Sequence, residues 1–236
     1  MKDLIKKVVG GILVYSPKSV QTMIKEEMEI TYWKNVLRKS NGKFYNGHYQ
    51  EFFTDLYSLS KDDFAGKTML DIGCGPLGSL EWADNAKERI GVDPLGDRYQ
   101  KLNKSAQSMK YVRAGAESLP FDDGRFDVVS LFNALDHVEN VANAVGEAQR
   151  VLAPGGDILL IVEVDHRPTI TEPHFLTQDI LNDFDQCDVL WRETYLVNEQ
   201  HDVYASISEA NIRTDASIPG ILCARLRKKV PHNQIN

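Results

Sequence analysis

The residues able to do chemistry fall in three stretches. The first is Asp71-Ile72-Gly73-Cys74-Gly75-Pro76-Leu77-Gly78, joined by Asp93 22 residues after Asp71. Gly73 and Gly75 lack a Cβ, so the backbone can bend sharply there and approach a ligand closely. The glycine spacing fits the Gly-x-Gly-x-x-Gly pattern of dinucleotide sites. Asp71 speaks against that reading, because a carboxylate at this point repels a diphosphate and attracts a cationic ligand. Asp93 is spaced to accept hydrogen bonds from ribose hydroxyls; its plain alternative is a helix cap before Pro94. The second stretch is Asn133-Ala134-Leu135-Asp136-His137, at the end of a long apolar run. An imidazole with an ordinary pKa near ~6.5 is a suitable base at neutral pH. His137, with Asp136 beside it, is therefore the first candidate base; the alternative is a helix-start histidine packed under the sheet. The third stretch runs from Glu163 through Asp165, His166 and Glu172 to His174. It offers His166 as a second base and Glu163 and His174 as groups to hold substrate, or else it is a polar connecting loop. Its spacing matches no zinc motif, and no metal is expected.

These stretches need a scaffold that brings them to one edge. Met69, Leu70 and Ile72 read as a short strand running into the glycines, with strands expected at 68–73, 89–93, 110–113, 126–132 and 157–162. Between them, helices are expected near 78–87, where Leu80-Glu81-Trp82-Ala83 opens a helical pattern, near 96–107 and near 139–152. Strands alternating with helices give a parallel sheet with helices on both faces. Such sheets bind ligands at the carboxyl ends of their strands. Pro154-Gly155-Gly156 turns the chain into the fifth strand. A helix near 177–184 then precedes two strand-like runs, Val189 to Val197 and Ile221 to Leu226, expected to pair antiparallel at the sheet edge. Upstream, residues 1–15 form a loose lead-in. Ser16-Pro17 starts a helix that Asn41-Gly42 ends. A second helix near 47–59 carries Tyr49, Phe52, Phe53, Leu56 and Tyr57 on one face.

Leu70-Asp71-Ile72-Gly73-Cys74-Gly75 resembles the first motif of class I S-adenosylmethionine-dependent methyltransferases. Arg113-Ala114-Gly115-Ala116-Glu117-Ser118-Leu119-Pro120-Phe121, followed by Phe126-Asp127, is similar to that family's Asp-Ala-Glu-x-Leu-Pro-Phe segment. Arg150-Val151-Leu152-Ala153-Pro154-Gly155-Gly156 matches its Arg-Val-Leu-x-Pro-Gly-Gly turn. The resemblance covers about residues 45–165 and is closest to the methyltransferase type 11 group. It implies an α/β, Rossmann-like seven-stranded and mostly parallel sheet with an antiparallel strand at one edge. It also implies a helical N-terminal cap (1–62) over the cofactor pocket of a methyltransferase domain (63–236). The implied cofactor is S-adenosyl-L-methionine, held by Asp71, Gly73, Cys74, Gly75, Asp93, Pro94, Ala116, Glu117 and the backbone of Asn133. Gly115 stands where the family has an adenine-binding Asp, so the Ala116 backbone or the Glu117 carboxylate must substitute. Tyr32, Trp33, Tyr49 and Phe53 either wall the pocket or are plain core; Tyr49 is also a candidate substrate contact, and His48 lies beside it. Methyl transfer is an in-line displacement that mainly needs alignment. The implied reaction is O-methylation of a small hydroxylated acceptor, such as a sugar unit, with N-methylation left open. Two alternatives stand: an NAD-dependent oxidoreductase, which here lacks a spaced Tyr and Lys pair, and a non-catalytic protein of the same fold.

At 236 residues the chain allows one large α/β domain with a cap,. A net charge of -7 argues against a general nucleic-acid binder,. The basic run Arg225 to Lys229 reads as the solvated end of the last strand. Three cysteines without regular spacing give no disulfide framework and fit a reducing cytoplasm,; Cys74 reads as a small residue filling tight space. No apolar run reaches the ~20 residues of a membrane span, Val8 to Tyr15 being too short. The expected protein is cytoplasmic, with a small-molecule acceptor, no nucleic acid and no stable membrane insertion; a homodimer is left open.

Overall fold

The structure is a computed structural model that describes residues 17–102, 108–169 and 171–231. The lead-in, the Ser16 cap, His232 and the end of the helix expected near 96–107 lie outside the described residues. Seven strands form one sheet: β1 Thr68–Ile72, β2 Glu88–Asp93, β3 Lys110–Arg113, β4 Phe126–Phe132, β5 Leu152–Val164, β6 Cys187–Leu196 and β7 Gly220–Lys228. Their order is β3-β2-β1-β4-β5-β7-β6. β1 to β5 are parallel, and β7 runs antiparallel between β5 and β6. The antiparallel strand thus sits one place in from the edge. The helices are α1 Lys18–Lys39, α2 Tyr49–Phe53, α3 Gly96–Leu102, α4 Val141–Val151 and α5 Val203–Ser208.

The central strands are apolar on both faces because both faces are covered. Leu70 and Ile72 of β1 pack with Leu131, Leu160 and the Ala144, Val145 and Ala148 stripe of α4. Met69 packs on the other face with Phe52 and Phe53 of α2, Phe64 and Ile161. α4 starts where the Asn140 side chain accepts from the Asn143 amide, a standard N-cap. Ile30 and Trp33 of α1 pack on Leu95 and Tyr99, so α1 covers the ends of β2 and β3. Asn41 and Gly42, at φ 54° and 77°, end that helix.

The stretch 78–87 is a series of turns, not the expected helix. Its apolar residues are buried all the same: Leu80 and Ala83 are in the core. The link from Ile72 to Glu88 is short, Gly78 adopts φ 79°, and Asn85 ties the segment to Lys61 through its side chain. Folded turns therefore satisfy the spacing that suggested a helix. The second N-terminal helix breaks at Thr54 into α2 and a 3₁₀ turn at Asp55–Tyr57, and the segment near 177–184 is also 3₁₀. Pro154-Gly155-Gly156 is a bulge inside β5. Leu152 already pairs with Phe126, and pairing resumes at Asp157 with Val128. The arginine of that motif is a strut: Arg150 donates to the carbonyls of Phe121 at 2.7 Å and Leu119 at 3.0 Å. In the basic run, Arg225 and Arg227 both grip Asp157. Lys228 donates to the Gln149 and Leu152 carbonyls. No helix among the described residues is long and apolar enough to cross a membrane.

Candidate active site

The strand order reverses between β1 and β4, which makes the crevice at their carboxyl ends the place where such a sheet binds ligands. The glycine turn enters it directly. Gly73 adopts φ 74°, and the amides of Gly73 and Cys74 both reach the Val92 carbonyl, at 2.8 and 3.2 Å. A Cβ on Gly73 would lie 2.6 Å from the Ala134 Cβ, so the tips of β1 and β4 touch because this residue is glycine. Gly75, at φ 53°, lies against Trp33 of α1, whose ring would stand 3.6 Å from an added Cβ. The Cys74 side chain points the other way, into the space over Gly91. Burial holds its thiol well above the ordinary range. It fills tight space, as expected.

Asp71 does not face a ligand. It is 3% exposed, one oxygen takes the Ser79 hydroxyl and the other the Ser130 hydroxyl at 2.6 Å. Burial pushes its carboxyl up to about 6 despite those two bonds. Its work is to tie the turn to β4, and the expectation of a direct cationic contact is corrected accordingly. The signal for its partners lay in Ser130, a hydroxyl interrupting the apolar run of β4.

Asp93 closes β2, half-buried, with Oδ1 accepting the Leu95 amide at 2.8 Å and Oδ2 3.4 Å from the Gly75 amide. Burial raises its carboxyl to about 6. Pro94 is exposed beside it. Glu117 is largely engaged: its Oε1 accepts the Glu139 amide at 2.7 Å and the Asn140 amide at 3.4 Å. Its Oε2 would stand 3.1 Å from a Cβ on Gly115, which leaves that oxygen and the half-buried Ala116 at the position where an adenine amino group would need an acceptor. Asn133 follows β4 at φ 51°. Its backbone amide donates to Ile161 at 2.7 Å, and its buried Oδ1 has no partner among the described residues.

The cap contributes unevenly. Phe53 is fully buried against Phe132, Phe64 and Trp82 and is core, not wall. Tyr32 is exposed and meets Trp33 edge-on. Tyr49 stacks with His48 and hydrogen-bonds Tyr204 of α5. Burial raises both phenols, with a further push from Asp71. Tyr204 carried no sequence signal, since only the tertiary fold returns α5 to the cap.

The loops after β4 and β5 meet. Asp136 is fully buried, and neither of its oxygens has a hydrogen-bond partner among the described residues. His137 is part-exposed; its Nε2 is 3.9 Å from Asp136 Oδ1 and its Nδ1 is 3.1 Å from the Thr171 carbonyl. Burial, followed by the charges of Asp136 and Glu172, raises the Glu163 carboxyl. Burial also raises Asp136. His166 is 9% exposed, with Nδ1 3.0 Å from the Arg167 carbonyl and Nε2 buried without a partner among the described residues. His174 sits apart from this cluster as a latch, its Nε2 2.7 Å from the Val138 carbonyl.

Residues 70–160 match the methyltransferase domain family. The chain is 31% identical over 138 residues to a ubiquinone/menaquinone biosynthesis C-methyltransferase from Idiomarina loihiensis, covering 58% of this chain and 50% of that one. It is 34% identical over 117 residues to a malonyl-[acyl-carrier protein] O-methyltransferase from Enterobacter lignolyticus, covering 46% of each. The chain thus spans about half the length of these curated relatives. An S-adenosylmethionine-dependent methyltransferase structure from Mesorhizobium loti shares the fold, with a TM-score of 0.56 at 19% identity over 76% of this chain and 98% of that one. The sheet order, the glycine turn pinned to β2 and these likenesses agree: residues 70–160 match the methyltransferase domain family, on a sheet of the kind that S-adenosylmethionine-dependent methyltransferase structures share.

Proposed function

We propose that the chain binds S-adenosylmethionine across the ends of β1, β2 and β4 and methylates a hydroxyl of a small acceptor, a sugar unit in the narrowest form of the reading. The Asn133–His137 segment carries it: at the switch point it sets an unpartnered buried amide oxygen beside a buried carboxylate and an imidazole. The donor set fits this cofactor. Asp93 keeps acceptor capacity for ribose hydroxyls, Gly73 and Gly75 leave the backbone close, and Asn133 Oδ1 can take an ammonium proton. Ala116 and Glu117 Oε2 are nearest for the adenine amino group. Bound S-adenosylmethionine supplies an electrophilic sulfonium methyl with a good leaving group.

The residues on the acceptor side then have separable jobs. An Nδ1–H donated to the Thr171 carbonyl fixes the His137 tautomer and leaves a lone pair on Nε2,. That lone pair takes the acceptor's proton, and Asp136 steadies the resulting imidazolium. Glu163, whose carboxyl feels the charges of Asp136, Glu172, His166 and His137, is the nearest further group to hold the acceptor. The relatives named above differ in the atom they methylate; the imidazole is what favours oxygen here, because a hydroxyl must lose a proton. A dinucleotide fits less well, since its pyrophosphate needs a helix N-terminus after the glycine turn and residues 75–87 form none.

A thermal-shift titration with S-adenosylhomocysteine, run beside NAD, tests the reading. A ligand at 100 times its Kd stabilises by ~2.7 kcal/mol, and Asp93→Ala should remove most of that shift. His137→Ala should keep it and lose turnover. A shift with NAD alone would sink the proposal, and a shift with neither would leave a non-catalytic protein of this fold.

A further inference from the structure

We infer that Asp136, His137 and Glu172 form a site for one divalent transition-metal cation at the acceptor end of the crevice. The ligand atoms of these three side chains all lie within 4.8 Å of one another. That spacing lets one ion touch all three. Proximity of acidic groups alone would mean little, but three independent features point the same way.

The first is the state of Asp136. Its carboxylate is 0% exposed and neither oxygen has a hydrogen-bond donor among the described residues. An isolated buried carboxylate is costly unless paired or metal-bound. The groups that face it are His137, Glu172, His166 and, through its charge, Glu163. No lysine or arginine is among them. The buried cation Arg213 gives its Nη1 to Asp165 at 2.7 Å and to the Ile218 carbonyl at 2.8 Å, its Nη2 has no partner among the described residues, and it is not among the charges that act on Asp136.

The second is the orientation of His137. Its Nδ1 addresses the Thr171 carbonyl at 3.1 Å, which is how metal-binding imidazoles are fixed by a backbone oxygen on the far nitrogen. Its Nε2 is turned to Asp136 at 3.9 Å, too far for a hydrogen bond and about right for two ligands of one ion. The third is Glu172. Thr169 holds one of its oxygens at 3.2 Å and caps its amide at 3.0 Å, so the side chain is pinned through that oxygen, with no hydrogen bond shown to the other among the described residues. One imidazole and two carboxylates suit the Mn2+ to Zn2+ series better than Mg2+, which prefers oxygen donors alone.

Binding does not depend on the methyl-transfer reading, but the cation's role does. Beside an acceptor hydroxyl it would lower the hydroxyl pKa. The proton would then leave to solvent, which reaches the site at the 39% exposed His137 side chain. Cation and proton compete for the same His137 lone pair, so the metal-free site uses it as a base and the loaded site as a ligand. The 163–174 stretch matches no zinc motif because two of the three ligands, Asp136 and His137, come from the β4 loop, which only the fold brings to Glu172.

The test uses the full chain after treatment with a chelator. Mn2+ is titrated in, and free Mn2+ is followed by its EPR signal, with Zn2+ as competitor. We expect one Mn2+ per chain, displaced by Zn2+ at lower concentration. Glu172→Gln and His137→Ala should each weaken binding by ~10-fold or more, with Asp188→Asn, exposed at the amino end of β6 and so at the opposite edge of the sheet, as the unchanged control. Asp136 is buried and its replacement could unfold the site, so the part-exposed Glu172 carries the test. S-adenosylhomocysteine shifts are measured on the same samples. If they persist in Glu172→Gln while Mn2+ binding falls, the two sites are separate and both readings stand. No saturable Mn2+ binding, or equal binding by wild type and both variants, overturns the metal site whatever the cofactor result, and assigns the carboxyl pair a shared proton instead.

Discussion

Replacing Gly73 by alanine should damage the crevice in two separable ways. The residue sits at φ 74°, a left-handed conformation that costs a side-chain-bearing residue about 1–2 kcal/mol. The added Cβ would also lie 2.6 Å from the Ala134 Cβ, well inside contact, and overpacking of this kind costs about 1–3 kcal/mol. Together the two effects predict a loss of about 2–5 kcal/mol. The second can be relieved and the first cannot. In Gly73→Ala/Ala134→Gly the overlap is gone while the backbone strain remains. Urea denaturation of the four proteins in this cycle gives the coupling directly. The double variant should be more stable than the two single losses predict, by about 1–3 kcal/mol. The S-adenosylhomocysteine shift should fall in Gly73→Ala and recover partly in the double variant, because the β1 and β4 tips are the floor of the site. A wild-type midpoint for Gly73→Ala, or strictly additive losses, would refute the claim that these two tips touch.

Asp71 should make stability pH-dependent with a particular sign. Its carboxyl is raised to about 6 in the fold against ~3.9 unfolded. The folded state therefore binds more protons between those values, and this group lowers stability as pH rises through them. Asp71→Asn should gain on wild type by up to about 3 kcal/mol between pH 4 and 7.5 in urea melts; a difference that does not move with pH would disprove the assignment. Ser130→Ala removes the 2.6 Å donor to that carboxylate and should cost about 1–3 kcal/mol at neutral pH, less below pH 4. Asp93, also raised to about 6, is a better acceptor when charged. The S-adenosylhomocysteine shift should therefore grow as pH climbs through 6, and isothermal titration at pH 6 should show proton release on binding. Equal affinity at pH 5 and 7.5 would remove Asp93 from the ribose.

What the residues alone determined was the alternation. β4 falls where its apolar run places it, and α4 lies within its expected range, because a strand buried on both faces and a helix with one apolar stripe leave unmistakable periods in the sequence. The glycine turn and Asp93 were legible for a related reason: both are local, needing only a short strand and a bend. The segment 78–87 misled because burial of Leu80 and Ala83 demands apolar residues but not a helix. Tertiary packing decided everything that joins distant parts of the chain. Asp71 looked like a ligand contact until Ser130, 59 residues away, took its oxygen. Phe53 could be pocket wall or core by its sequence, and its packing on Phe132 makes it core. Tyr204, on α5 between β6 and β7, came to the cap with no local pattern to announce it, and Glu172, though it stands in a polar stretch, meets Asp136 and His137 only through the fold. Period and turn chemistry are written residue by residue, whereas the burial and charge of a site depend on which neighbours the completed sheet brings within a few ångströms.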